Sequence, residues 1–311
     1  MTDPSLLSAS EARGLIALGE LSPTELLEAC IRRIEEVNPQ INAIVSTDLV
    51  RARKEAKIAE TAVLAGSSLP PLHGLPIGIK DLNATEGLRT TWGSKLFENF
   101  VPTEDEALVA RLRAAGGIII GKTNTPEFGS GTATNNLVFG PTRNPFDLER
   151  TSGGSSGGAA AALATNMLPL CQGGDTGGSL RNPATWCGVV GFRSTPGLVP
   201  RENRTLNYTH FNVQGPMARS VPDIALMMTG CVGNDERDPM ANIYDPQAFL
   251  NIKPANLKNV RVAWTEDFGG VAPLDDGIRL CFQRVIGALK NTFQSLDGHN
   301  PNFSDARDCF W

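Results

Sequence analysis

Apolar residues recur at helical spacing through the first 65 positions. In "SPTELLEACIRRIEEVN", Leu26, Leu27, Cys30, Ile31, Ile34 and Val37 fall on one face of a 3.6-residue period. Ser22 stands where an N-cap is needed, with Pro23 at the first helical position and Glu25 at the third. A second helix is expected over about 48–65, ending at Gly66, followed by the loop "SSLPPLHGLP". The pattern then changes. Short apolar runs predict strands: "IGIKDL" (77–82), "GIIIGKT" (117–123), "LPLC" (168–171), "VVGFR" (189–193) and "NVRVAW" (259–264). Between them lie helical stretches. "TEDEALVARLRAAG" carries Thr103 and Glu106 as a capping box, "GGAAAALAT" is built of small residues, and "GSLRNPATWCG", "SVPDIALMMTGCVG" and roughly 274–296 complete the set. Such alternation implies an α/β fold with a parallel or mixed sheet covered by helices on both faces. The chain shows no internal repeat and no linker, so a single domain over 1–311 is expected. At its end, "FSDARDCFW" reads as the start of a helix capped by Ser304 that stops at Phe310 and Trp311.

Composition narrows the class. Of 311 residues, 41% are apolar and 20% charged, as in a globular protein, and the net charge of −5 argues against a nucleic-acid surface. The N-terminus lacks a basic stretch followed by an apolar core, and no apolar run could span a bilayer, so a cytoplasmic protein without membrane contact is expected. Six scattered cysteines, with no Cys-x-x-Cys, read as reduced and mostly buried thiols. Three dispersed histidines suggest no zinc site.

Two motif matches fail on context. "GGIIIGKT" (116–123) has the letters of a phosphate-binding loop, but a helix precedes it and Ile118, Ile119 and Ile120 form a core strand. "GSSGG" and "GGSSG" fit a nucleophile elbow centred on Ser156 or Ser155, with Asp297 and His299 to complete a triad. The polar "RNPFDLERTS" upstream is not the strand an elbow needs. A Ser-x-x-Lys pair is absent. What remains is Gly-Gly-Ser used twice around an alanine-rich run, and a lysine, Lys80, ending an apolar strand.

Together "PLHGLPIGIKDL" (71–82), "GGSSGG" (153–158) and "GGDTGGSLR" (173–181) strongly resemble the amidase signature family. The resemblance continues through "TTWGS" (90–94), "GKTNTPEF" (121–128), "FGPTRNPFD" (139–147), "WCGVVGF" (186–192) and "GPMARSVPD" (215–223), close over about 65–235 and loose before that. It implies the amidase signature fold, divided here into an N-terminal helical segment (1–65), a catalytic core (66–235) and the start of a C-terminal part (236–311). Family members continue beyond this point, so the rest of the sheet and pocket is expected to be missing. The resemblance further implies a Ser–Ser–Lys triad with Ser179 as nucleophile, Ser155 as bridging serine after a cis peptide bond from Gly154, and Lys80 as base.

Lysine is a base only when neutral. Bringing it from about 10.4 to about 7.5 requires roughly 4 kcal/mol of differential destabilisation of the cation, and burial beside Ile77, Ile79 and Leu82 acts in that direction. Asp81 would oppose it, but strand neighbours face opposite sides. Ser155 can take the Ser179 proton while passing its own to Lys80. The N–H groups of Thr176, Gly177 and Gly178 are the expected oxyanion hole. Ser156 is expected to support the site, Asp175 and Arg181 to pair around the nucleophile turn, His73 to hydrogen-bond in its loop, and Trp186 and Cys187 to lie in the core. Gly174 and Ser152 depart from the family's common threonine and proline.

The implied activity is hydrolysis of a small carboxamide to a carboxylate plus ammonia or an amine through an acyl-enzyme. No cofactor or metal is expected, and a homodimer is the candidate assembly. Two alternatives stand beside it: a catalytically impaired remnant, and the amidase component of a glutamyl- or aspartyl-tRNA amidotransferase, which uses the same triad.

Overall fold

A computed structural model describes residues 3–202 and 208–306, which fall into two compact units, 1–252 and 253–311. In the first unit, helices α1 (Ala9–Leu18) and α2 (Pro23–Ile41) each begin with a complete capping box, Ser8 with Glu11 and Ser22 with Glu25. The next four residues, Ile44–Thr47, form strand β1 where a continuous run of helices is expected. They are β-branched or small, and too few to show a period. Pairing with a distant strand decides their state. Helix α3 (Leu49–Leu64) follows.

The remaining elements are β2 (Pro76–Lys80), α4 (Ala107–Ala114), β3 (Ile118–Thr123), β4 (Arg143–Asn144), β5 (Asp147–Thr151), α5 (Gly157–Ala164), β6 (Leu170–Asp175), α6 (Arg181–Cys187), β7 (Val190–Gly191), β8 (Val213–Ala218) and α7 (Val221–Cys231). Six strands form one mixed sheet in the order β1-β3-β2-β6-β8-β7. The centre, β3-β2-β6, is parallel, and β1, β8 and β7 are antiparallel to their neighbours. Every residue of β2, β3 and β8 is buried whichever way it points, so both faces of the sheet are covered. Strand β8 is not legible in the sequence, because Gly215 and Pro216 interrupt its apolar pattern.

Helix α5 packs against β1, β2, β3, β6 and β8, and all its residues from Gly157 to Leu163 are buried. This explains its small residues. A Cβ on Gly158 would come within 2.2 Å of the Asn124 nitrogen and 2.6 Å of the Ala43 oxygen. The Thr103–Glu106 capping box does not form. Glu106 is itself the N-cap of α4 and makes no side-chain cap bond, because its carboxylate accepts from Gln214 Nε2 at 2.6 Å. Trp186 is not in the core but 47% exposed, whereas Cys187 is buried.

The second unit holds β9 (Arg261–Trp264), α8 (Asp276–Leu289) and β10 (Ser295–Gly298), with the two strands parallel. The expected helix over 274–296 thus ends early and gives way to a strand whose pairing with β9 defines it. Asp297 and His299 belong to this unit. Phe310 and Trp311 lie outside the described residues. Among those described, no helix is long and apolar enough to cross a membrane.

Candidate active site

Strands β2 and β6 are parallel neighbours, so their C-terminal ends open at one edge of the sheet, where α/β proteins place ligands. Lys80 is the last residue of β2, and the turn after β6 carries Asp175 to Ser179. Ser155 lies immediately before α5, in the cis Gly154–Ser155 peptide. Lys80, Ser155, Thr176 and Ser179 all line one cavity of about 180 Å³, together with Leu82, Asn83, Trp92, Phe128, Arg201 and Gln214.

Lys80 is 1% exposed and Ser155 2%. Lys80 Nζ donates to Ser155 Oγ at 2.7 Å. Burial is the main influence on this amine. It lowers the pKa to about 7, with Arg201 acting the same way and Asp175 opposing. Asp81 is turned aside, its carboxylate accepting from both the N–H and the hydroxyl of Thr91. Burial raises its pKa, against the pull of Lys122.

Ser179 is half-buried, and among the described residues its hydroxyl has no hydrogen-bond partner. Its carbonyl accepts from the N–H of Ser156 at 3.2 Å, which ties the two glycine turns together. Ser156 Oγ reaches Gly174, donating to its carbonyl at 3.3 Å and accepting from its N–H at 3.4 Å. At Gly174 an added Cβ would meet only the Val213 oxygen, at 3.5 Å, so a side chain fits there.

Asp175 organises the nucleophile turn. It accepts from Arg181 Nε at 3.0 Å and Arg193 Nη1 at 2.8 Å, and from the N–H groups of Gly178 at 2.8 Å and Leu180 at 3.2 Å. Burial alone would raise its pKa, but these donors outweigh burial and bring it down to about 2. The bond from Gly178 corrects the expected oxyanion hole: that N–H is already taken by a carboxylate. Thr176 and Gly177 are exposed, and their N–H groups have no partner among the described residues. Arg193 escaped sequence reasoning, since nothing in "VVGFR" signals a partner 18 residues back.

A second buried lysine lies behind the site. Lys122, 0% exposed, donates to the Asn83 carbonyl and to Thr85 Oγ1 at 2.9 Å. Burial lowers its pKa to about 8, against the pull of Asp81, Glu106 and Asp105. It is the lysine of the discarded phosphate-loop match, and its place within β3 shows why that match carries no phosphate. Lys122→Ala leaves Asp81 and Glu106 buried without their nearest cation. The expected loss is about 3 kcal/mol of unfolding free energy at pH 7, read from urea denaturation. His73 Nε2 lies 2.9 Å from the Ala59 carbonyl, a loop contact.

A family model described as Amidase matches residues 25–299. The chain is 37% identical to an acylamidase of Rhodococcus erythropolis, over 100% of this chain and 65% of that protein. It is 46% identical to the amidase component of the glutamyl-tRNA(Gln) amidotransferase of Thermus thermophilus, over 93% of this chain and 60% of that one. Among solved structures, a bacterial aryl acylamidase of the amidase signature enzymes superposes with TM-score 0.88 at 31% identity, over 94% of this chain and 61% of the other. A peptide amidase from Stenotrophomonas maltophilia gives 0.86 at 29%, over 97% and 63%. The chain thus spans about 60% of the length of these relatives.

Proposed function

The chain belongs to the amidase signature family, and we propose that it hydrolyses a small carboxamide, with Ser179 as nucleophile, Ser155 as relay and Lys80 as base. The observation that carries this reading is the 2.7 Å contact between Lys80 and Ser155 in the cavity that Ser179 also lines. At a pKa of about 7 the lysine is substantially neutral near neutral pH and accepts a proton. Ser179 Oγ attacks the carbonyl carbon and its proton passes to Ser155 Oγ, whose own proton passes to Lys80 Nζ. The N–H groups of Thr176 and Gly177 receive the developing oxyanion. The C–N bond breaks as the proton returns through Ser155 to the departing nitrogen. Water then attacks the Ser179 ester and releases the carboxylate. Ser156 and the Asp175–Arg181–Arg193 cluster hold the two turns.

Labelling tests the assignment. A fluorophosphonate probe is expected to form an adduct that peptide mass spectrometry places on Ser179. An adduct on Ser156 would instead favour the elbow reading. The 46% identity to the amidase component of an amidotransferase favours a second reading, in which the ammonia released from glutamine is passed to a partner. Ammonia release from glutamine in preference to simple amides distinguishes it.

A further inference from the structure

The cavity has two unlike walls. Asn83, Arg201 and Gln214 make one side polar, while Leu82, Trp92 and Phe128 make the other apolar. The apolar wall is built at a cost in backbone conformation. Trp92 and Phe128 both sit at φ +51°, a region that bulky residues rarely occupy. Left-handed non-glycine residues of this kind concentrate where a ligand is held. The two strained residues are joined directly: Phe128 N–H donates to the Trp92 carbonyl at 2.7 Å, and Trp92 Nε1 donates to the Leu82 carbonyl at 3.1 Å. A Cβ on Gly93 would meet the backbone of Thr125 to Glu127 at 3.1 Å, so the two turns are in close contact.

The rings also brace one another. Phe97 packs edge-on against Trp92 at 5.0 Å and against Phe128 at 6.3 Å, and Phe100 lies 5.4 Å from Trp92. Yet Phe128 remains 53% exposed. A braced ring left uncovered beside a nucleophile is suited to receive another flat apolar group.

Resting on the hydrolase reading above, we propose that the Leu82–Trp92–Phe128 wall binds an aromatic group of the substrate. The preferred substrates are then carboxamides carrying an aryl ring close to the C–N bond, rather than small aliphatic amides or glutamine. Offset or edge contacts between rings favour the aryl amide by about tenfold over its aliphatic counterpart.

Calorimetric titration of the Ser179→Ala protein separates binding from turnover. Phenylacetamide is expected to bind about tenfold more tightly than acetamide. Adding Phe128→Gly should remove most of that preference; glycine suits the positive φ and deletes the ring without disturbing the backbone. Trp92→Gly is the second variant, for the same reason. Equal binding of acetamide or glutamine overturns the proposal, and so does a preference that survives both substitutions. Turnover of phenylacetamide by the unsubstituted chain is measured in parallel. An intact binding preference without turnover rejects hydrolysis but upholds the aromatic wall. Turnover without the preference rejects the wall alone.

Discussion

Ser179→Ala is expected to lower kcat for amide hydrolysis by about 10⁴–10⁶-fold while leaving the fold intact. The side chain is half-buried, and its hydroxyl makes no hydrogen bond within the described residues, so its loss orphans no buried group. The thermal transition should stay within a degree or two of the unsubstituted protein. Steady-state release of ammonia, measured alongside near-ultraviolet circular dichroism, checks both halves. Hydrolysis at the unsubstituted rate would remove Ser179 from the chemistry. Retained binding of amide with lost turnover is the expected pattern, because the cavity walls are contributed by other residues.

The second large effect belongs to Lys80. Lys80→Ala should cost about 10³–10⁴-fold in kcat/KM, the contribution of a well-placed general base. Lys80→Arg should rescue nothing, since a guanidinium stays protonated and cannot accept the relayed proton. The pH profile is the sharper test. The amine must be neutral to act, so kcat/KM is expected to rise through an apparent pKa of about 7 and to hold a plateau into alkaline solution. A profile still rising above pH 9 would mean that burial does not depress this lysine. The same shift has a stability signature. Between the folded pKa of about 7 and the ordinary value of 10.5, the unfolded chain holds the proton that the folded chain has released. Stability contributed by this group therefore increases with pH across that window and is lost as pH falls toward 7.

Much of the site was legible in the linear pattern. Helix starts at Ser22 and strand positions such as "PIGIK" are written in local residue types, and the two glycine turns with their serines are contiguous motifs. The capping box at Thr103 and Glu106 was equally well written and does not form. Gln214, over a hundred residues away, competes for that carboxylate, and a local motif carries no information about such a competitor. Strand β1 and strand β10 were missed for a related reason. Each has four residues, and their state comes from the partner strand.

The sequence by itself determined the set of groups: a lysine ending an apolar strand, two serines in glycine turns, and a small-residue helix between them. It also determined the family, through several motifs in order. Only the tertiary structure decided what those groups can do. It sealed Lys80 to 1% exposure, and desolvation by residues from distant segments lowers its pKa far more than its sequence neighbours could. It assigned the Gly178 N–H to Asp175 and left Thr176 and Gly177 facing outward, a division that three adjacent amides cannot show in a string of letters. It brought Arg193 onto Asp175, and Trp92 and Phe128 onto one wall of the cavity. Dielectric environment, donor occupancy and wall chemistry are properties of neighbours in space, and in this chain those neighbours are far apart in sequence.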